Sequence, residues 1–388
     1  MARLAWVHNR PLEVEPMFRQ ALAMKQKWLG PQHPSVALTM NNLASVLREK
    51  SDFEGADTMA REALAIRRAT LGNEHADVAE SLHDLAVTSS LRGRLDEAES
   101  NLRGALALDR KLHGIDSPVV VIGLNTLGET LRRKADLAGA EVAFVEALEI
   151  ARRLYGDEHP DVAHTMYNLG RVVFLRGDLD EGERLLRESL VMHRKVLGNE
   201  NVWVANGLNM LGRVYQARGD AIAADRHFRD ALRMHRTLYG EKSVPVAAVL
   251  VNLGTLRQDT GDYPEAESLY REAVAMDRKL LGASHPTLAG DINALAGLLA
   301  VTGDVAGAEA GYREALQIRR TVLPPRHPDT ANTLVGLARV LLQRKDAVGA
   351  MPLVKEAIEI RRAALTPGDP AIAAAEQLLQ QVGTAQAR

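Results

Sequence analysis

The stretch DEHPDVAHTMYNLGRVVFLRGDLDEGERLLRESLVMHRKVLG, residues 157–198, is one copy of a pattern that returns every 42 residues. Its closing Gly198 stands in register with Gly30, Gly72, Gly114, Gly156, Gly240 and Gly282, and Pro324 and Thr366 keep the spacing after the glycines stop. An unbroken period of this length specifies stacked copies of one supersecondary unit. Eight full units span 31–366, preceded by an incomplete unit at 1–30. Residues 367–388 supply one more first helix, expected over 371–381, where Glu376, Gln377, Gln380 and Gln381 make it polar enough to cap the stack.

Each unit reads as two helices. In the quoted copy Val162, Met166, Leu169 and Val173 form one apolar stripe of an amphipathic first helix. The Leu169 position is leucine in every unit, from Leu43 through Leu85, Leu127, Leu211, Leu253, Leu295 and Leu337 to Leu379. A turn follows, with Gly93, Gly177, Gly219, Gly261 and Gly303 in one column. Asp52, Asp136, Asp178, Asp220, Asp262, Asp304 and Asp346 stand in the next. Glycine relaxes the backbone at a helix end, and aspartate caps the helix that follows. The second helix then carries a small residue (Ala56, Ala98, Ala140, Gly182, Ala224, Ala266, Ala308, Ala350) that lets the two helices approach closely. Four residues on come Phe144, Phe228, Tyr270 and Tyr312, and three beyond those another small column, including Ala147 and Ala231.

Composition supports helices and removes several function classes. Hydrophobic residues are 46% and aromatics only 4%, a core of Ala, Leu and Val suited to close helix packing. The net charge of −2 gives no global attraction to nucleic acid or an anionic membrane. Without cysteine there is no disulfide, thiolate metal site or cysteine nucleophile. No apolar run approaches the roughly 20 residues of a membrane span. The first residues lack a signal-peptide pattern, so a cytoplasmic protein is expected. No phosphate loop, nucleophile elbow or HExxH motif is present, and neither an enzyme nor a cofactor is expected.

Leucine, then Ala at +13, an aromatic at +17 and Ala at +20 resembles the tetratricopeptide repeat. The longer period and segments such as RRLYGDEHPDVA (152–163), with NNLA (41–44), resemble the kinesin light chain type of that repeat. The resemblance implies an all-α, right-handed superhelical solenoid of antiparallel helix pairs that binds a protein or peptide in its concave groove. First helices line that groove in the family. One column there reads Asn41, His83, Asn125, Tyr167, Asn209, Val251, Asn293, Val335, and the next includes Asn42, Asp84, Asn168 and Asn252. An Asn ladder pairs with the backbone of an extended peptide, or else with neighbouring helices. A further column with its neighbours supplies Arg132, Arg133, Arg171, Phe174 and Arg213, so with Tyr167 a basic patch holding two aromatics is expected. That chemistry suits an acidic peptide with an apolar anchor, or is a solvated face with incidental arginines. The carboxylate-clamp variant needs lysine at the Asn41 position, and none is there, which argues against a chaperone C-terminal tail.

Two repeated columns read as structural. Arg68, Arg110, Arg152, Arg194, Arg236, Arg278, Arg320 and Arg362 fall late in the second helix, where positive charge opposes the helix dipole. His33, His75, His159, His285 and His327 share one loop position, often before proline. Equivalent positions in adjacent units lie roughly 10 Å apart, too far to share a zinc ion whose ligands converge at about 2 Å. Met1 falls in the Leu column, which raises a second function: the sensor part of a larger signalling ATPase or protease whose catalytic domain lies upstream.

Overall fold

The computed structural model describes residues 11–50, 52–323, 325–365 and 368–387, and of the side chains at 11–13 nothing further is described. Met1, Pro324 and Thr366, which entered the register argument, lie outside these residues. Among the described residues the secondary structure is entirely helical. An unpaired helix α1 (Pro11–Leu29) precedes the pairs α2 (Pro34–Glu49) and α3 (Phe53–Leu71), α4 (Ala76–Leu91) and α5 (Leu95–His113), and α6 (Pro118–Arg133) and α7 (Leu137–Tyr155). Then come α8 (Pro160–Leu175) and α9 (Leu179–Leu197), α10 (Val202–Ala217) and α11 (Ala221–Tyr239), and α12 (Val244–Asp259) and α13 (Tyr263–Leu281). The last are α14 (Pro286–Thr302) and α15 (Val305–Val322), α16 (Pro328–Gln343) and α17 (Ala347–Ala364), and α18 (Pro370–Gln386). Two compact units divide the chain, Met1–Val172 and Val173–Arg388, and the division falls within α8.

The turn chemistry explains the register. The glycines of the 42-residue beat end their helices at φ near +80° with extended ψ (Gly72 at 80°, 177°; Gly240 at 83°, 174°), a region reserved to glycine. Where the glycines stop, the last described residues of the register, Leu323 and Leu365, are extended at negative φ, and α15 and α17 are one residue shorter. Each aspartate of the Asp52 column accepts the backbone N–H three residues on, at 2.8–3.2 Å. Arg94 replaces it once and makes no side-chain cap. The loop histidines are caps as well: Nδ1 of His33, His75, His159, His285 and His327 accepts the N–H two residues on, at 3.1–3.2 Å. Each histidine thus serves its own helix.

Helix pairs close by size matching. Phe144, Phe228 and Tyr270 press on the bare backbone of Gly128, Gly212 and Gly254, where an added Cβ would stand 2.6–2.9 Å from the ring. Where the second-helix residue is Ala60, Leu102 or Val354, the facing first-helix residue is Ala44, Ala86 or Ala338, and all six are buried. Tyr312 reaches forward instead, onto Gly336 of the next repeat. The leucine column is buried in both units, with Leu295 and Leu379 only partly so. At the C-terminus α18 runs five residues past the expected end, to Gln386. The extension brings Val382 into the core beside Ala375 and Leu378, while Gln377, Gln380 and Gln381 stay exposed.

Two outcomes follow. Gly212→Ala places a methyl inside the Phe228 contact and lowers stability by about 1–3 kcal/mol in chemical denaturation. Ala135 and Lys345 hold φ of 64° and 62° where other repeats have glycine. Ala135→Gly relieves that strain, less the added chain entropy, and raises stability by about 0.5–1 kcal/mol.

Candidate functional site

Within each unit, first helices of successive repeats touch one another: α2 with α4 and α4 with α6, then α10 with α12, α12 with α14, α14 with α16 and α16 with α18. The backbones of successive second helices do not approach as closely among the described residues, and long side chains span the gap between them. The first-helix face is therefore the inner, more tightly spaced side of each unit, where a groove would form.

The asparagines on this face are largely engaged between repeats. Asn41 is 3% exposed and donates to Ser81 Oγ at 3.2 Å. Asn125 donates to Thr165 Oγ1 and to the Val121 carbonyl, both at 3.0 Å. Asn209 accepts from Asn252 at 2.8 Å, and Asn293 accepts from Arg319 at 3.5 Å. Asn168 is buried and lies 3.0 Å from His164 Nε2. Asn42 is half-buried beside Asn41.

The predicted arginines fall in both units. In the first unit, Arg132 makes a forked pair with Glu129 at 2.6 and 2.8 Å, Arg171 lies 3.7 Å from the same carboxylate, and Arg133 donates to Ser90 Oγ at 2.6 Å. Burial works to raise the Glu129 carboxyl, but the hydrogen bond and charge of Arg132, with Arg171 and Arg133, outweigh it and hold it below the ordinary value. Two guanidiniums thus flank one carboxylate, and the charge of a third reaches it. Tyr167 is buried, with the Arg171 guanidinium 5.4 Å from its ring centroid. In the second unit, Arg213 lies 5.4 Å from the ring centroid of half-buried Phe174.

The arginine column on the outer helices links repeats. Arg110, Arg278 and Arg320 pair with Glu146, Glu314 and Glu356 of the next second helix at 2.6–2.8 Å. These pairs are partly exposed and contribute little each.

The column just before it holds what sequence reading missed. Arg67, Asp109, His193, His235, Asp277, Arg319 and Arg361 are all buried. Arg67, Arg319 and Arg361 reach the carbonyls of Asp77, Asp329 and Ala371, in the first turn of the next helix, at 2.5–2.6 Å. They satisfy the following repeat from within. Asp277 instead faces Asp291 of α14, and both carboxyls are buried. Burial, then the charge and hydrogen bond of Asp277, push Asp291 up to about 8. The sequence signal is position: residue 67 and its equivalents directly follow the apolar column of Ile66, Ile150, Ile318 and Ile360.

Among the described residues no three metal-ligating side chains converge, and no helix is long and apolar enough to cross a membrane. Family models described as Tetratricopeptide repeat match residues 9–69, 38–111, 77–149, 120–181, 167–237 and 287–363, and a second one matches 246–287. A search of curated proteins finds none that matches. Among solved structures, nearly identical TPR-like repeats attributed to a kinesin light chain of Podosopora anserina are 22% identical, with 53% of this chain and 98% of that one covered and a TM-score of 0.47. BtubC (BKLC) from P. vanneervenii is 23% identical over 59% of this chain and 90% of that one, at a TM-score of 0.49. A Rap protein complexed with Competence and Sporulation Factor is 13% identical, but 91% of this chain and 98% of that one align, at a TM-score of 0.56.

The Asp277–Asp291 pair makes stability pH-dependent. A carboxyl raised by folding stabilises fully below its unfolded value of 3.8, and that contribution is lost as pH rises through about 8. Thermal melts across that range are expected to show the native chain falling with pH and Asp291→Asn following a flatter course. At pH 8 the variant is the more stable of the two.

Proposed function

The chain belongs to the tetratricopeptide repeat family, with a 42-residue unit similar to the kinesin light chain type, and from that premise we propose that its first-helix face binds an acidic segment of a partner protein. The repeat is of the protein-interaction scaffold type rather than a catalytic one. The observation that carries the finer reading is the cluster in the first unit, where Arg132 and Arg171 flank the single carboxylate of Glu129 and the charge of Arg133 reaches it. Two positive charges remain in excess, held by a packed scaffold on a face where repeats converge. Guanidiniums fixed in this way lose little entropy when a carboxylate docks on them.

The asparagines contribute differently from charge. Asn41, Asn125, Asn209 and Asn252 already bond between repeats and Asn293 within its own, so reading a peptide backbone requires them to exchange partners. Net gain from such an exchange is small, because one hydrogen bond replaces another. Charge is therefore the main selector in the first unit. The Rap protein of similar fold, solved with Competence and Sporulation Factor, supports the capacity of such a fold to hold a partner.

A peptide array probed with the native chain and with Arg133→Gln/Arg171→Gln tests the reading. Acidic peptides are expected among the native chain's ligands, with affinity falling about tenfold or more in the variant, some 1.4 kcal/mol. Their binding weakens as salt rises. Equal binding by a folded variant refutes the role of the cluster.

A further inference from the structure

Between α4, α5 and α6 of the first unit lies a cleft of about 360 Å³, with Ala76, Ala79, His83, Asp109, His113 and Ile122 in its wall. Its charge is opposite to that of the arginine cluster. Asp77, Glu80, Asp84 and Asp109 all line it. Three of the four have a guanidinium nearby: Arg48 lies 3.2 Å from Asp84, and Arg67 lies 3.1 Å from Glu80 and 3.9 Å from Asp77. Asp109 stands apart. It is 9% exposed, and among the described residues its carboxylate accepts no hydrogen bond. Burial raises its carboxyl above the ordinary value, opposed only by the charge of His113.

His83 adds no cation to the site. Its Nε2 lies 3.1 Å from Thr126 Oγ1, and burial, then the charge of Arg48, push the imidazole below its ordinary value. The wall therefore holds four carboxylates, answered by two guanidiniums beside it and by the charge of His113, and the least accessible carboxylate is the one with no hydrogen bond or ion pair. An unpaired buried carboxylate is costly, and an incoming cation removes that cost. At the mouth, Val119 and Ile122 are 39% and 56% exposed, an apolar lip next to an acidic floor. Lysine and arginine have this same division, an aliphatic stem below a charged head.

We propose that this cleft receives a lysine or arginine side chain of a peptide lying along the first-helix face, with Asp109 as its counter-ion and Val119 and Ile122 against its stem. The proposal deepens the peptide-binding reading and rests on it for the source of the cation. A partner segment then carries basic and acidic residues together, the basic one seated here.

The test uses the full chain and small probes, so that it does not depend on finding a peptide. Methyl signals of Ile122 and Val119 are followed by NMR during titration with N-acetyl-arginine methylamide, N-acetyl-lysine methylamide and the neutral N-acetyl-citrulline methylamide. Saturable shifts with one or both cations and none with citrulline are expected, and Asp109→Asn weakens binding about tenfold or more. The arginine and lysine arms report which head group is preferred. Failure of both cations to give saturable shifts, or equal affinity in a folded Asp109→Asn chain, overturns the proposal. Should Asp109→Asn not fold, Ile122→Ala decides, since its surface side chain is dispensable to the core. It is expected to bind the cation several-fold more weakly, and unchanged affinity overturns the proposal. Cation binding with a silent peptide array removes the peptide as the source, whereas array binding without cation binding removes the cleft alone.

Discussion

Everything in the repeat depends on how closely the second helix can lie on the first. The contact is set by a ring or a branched side chain pressed against backbone, as in Phe228 on Gly212 or Tyr270 on Gly254. Protein interiors tolerate few voids, so the pair must conserve volume. A ring takes a glycine beneath it, while Ala60, Leu102 and Val354 take Ala44, Ala86 and Ala338. Once that spacing is fixed, the short turn between the helices has few solutions. The aspartate cap and left-handed residue before it are the chemistry of that turn, and Ala135 and Lys345 hold the left-handed conformation even without glycine's freedom. The helix-pair contact therefore imposes the backbone on the turn, not the reverse.

Joining one repeat to the next is a different problem, and polar groups solve much of it. Arg67, Arg319 and Arg361 lie buried and reach the carbonyls that open the next first helix, while asparagines bond to the neighbouring repeat on the inner side. Buried polar groups with defined partners specify register more sharply than apolar contacts do, because a misplaced neighbour leaves them unsatisfied. The Asp277–Asp291 junction uses the same positions with two like-charged groups. Such a pair holds only by keeping a proton, which makes this junction pH-sensitive.

Periodicity made the fold legible because it repeats the same physical demand many times. Gly72 and its equivalents occupy a backbone region that only glycine enters, and Asp52 and its equivalents each close a helix start, so both columns are nearly invariant. The helices, their pairing and the small columns follow from these. The histidine caps were less visible, since an imidazole accepting a backbone N–H has no sequence mark beyond the proline that often follows. Constancy also directed attention to Arg68 and its equivalents, whose exposed pairs contribute little, and away from the position before it. That position varies from junction to junction, among Arg, Asp, His and Ala. The reach of α18 to Gln386 has little sequence signal, because its last turns add one buried apolar side chain, Val382, and no stripe.

Charge on the inner face is local where the chain as a whole is nearly neutral, with a net of −2. In the first unit, four carboxylates line the cleft between α4 and α6, and between α6 and α8 two guanidiniums flank Glu129 while the charge of a third reaches it. Fields from charges this far apart are screened over about 8 Å in physiological salt, so each group acts on what lies directly upon it. On the proposed reading, a face so arranged discriminates by the order of charges along a partner rather than by their sum. A uniformly acidic or basic segment meets one favourable group and one repulsive one, and like-charge contact costs as much as opposite-charge contact gains. Alternation of sign along the first helices is thus a source of specificity that net charge conceals, and it arises from substitutions within columns the repeat leaves free to vary.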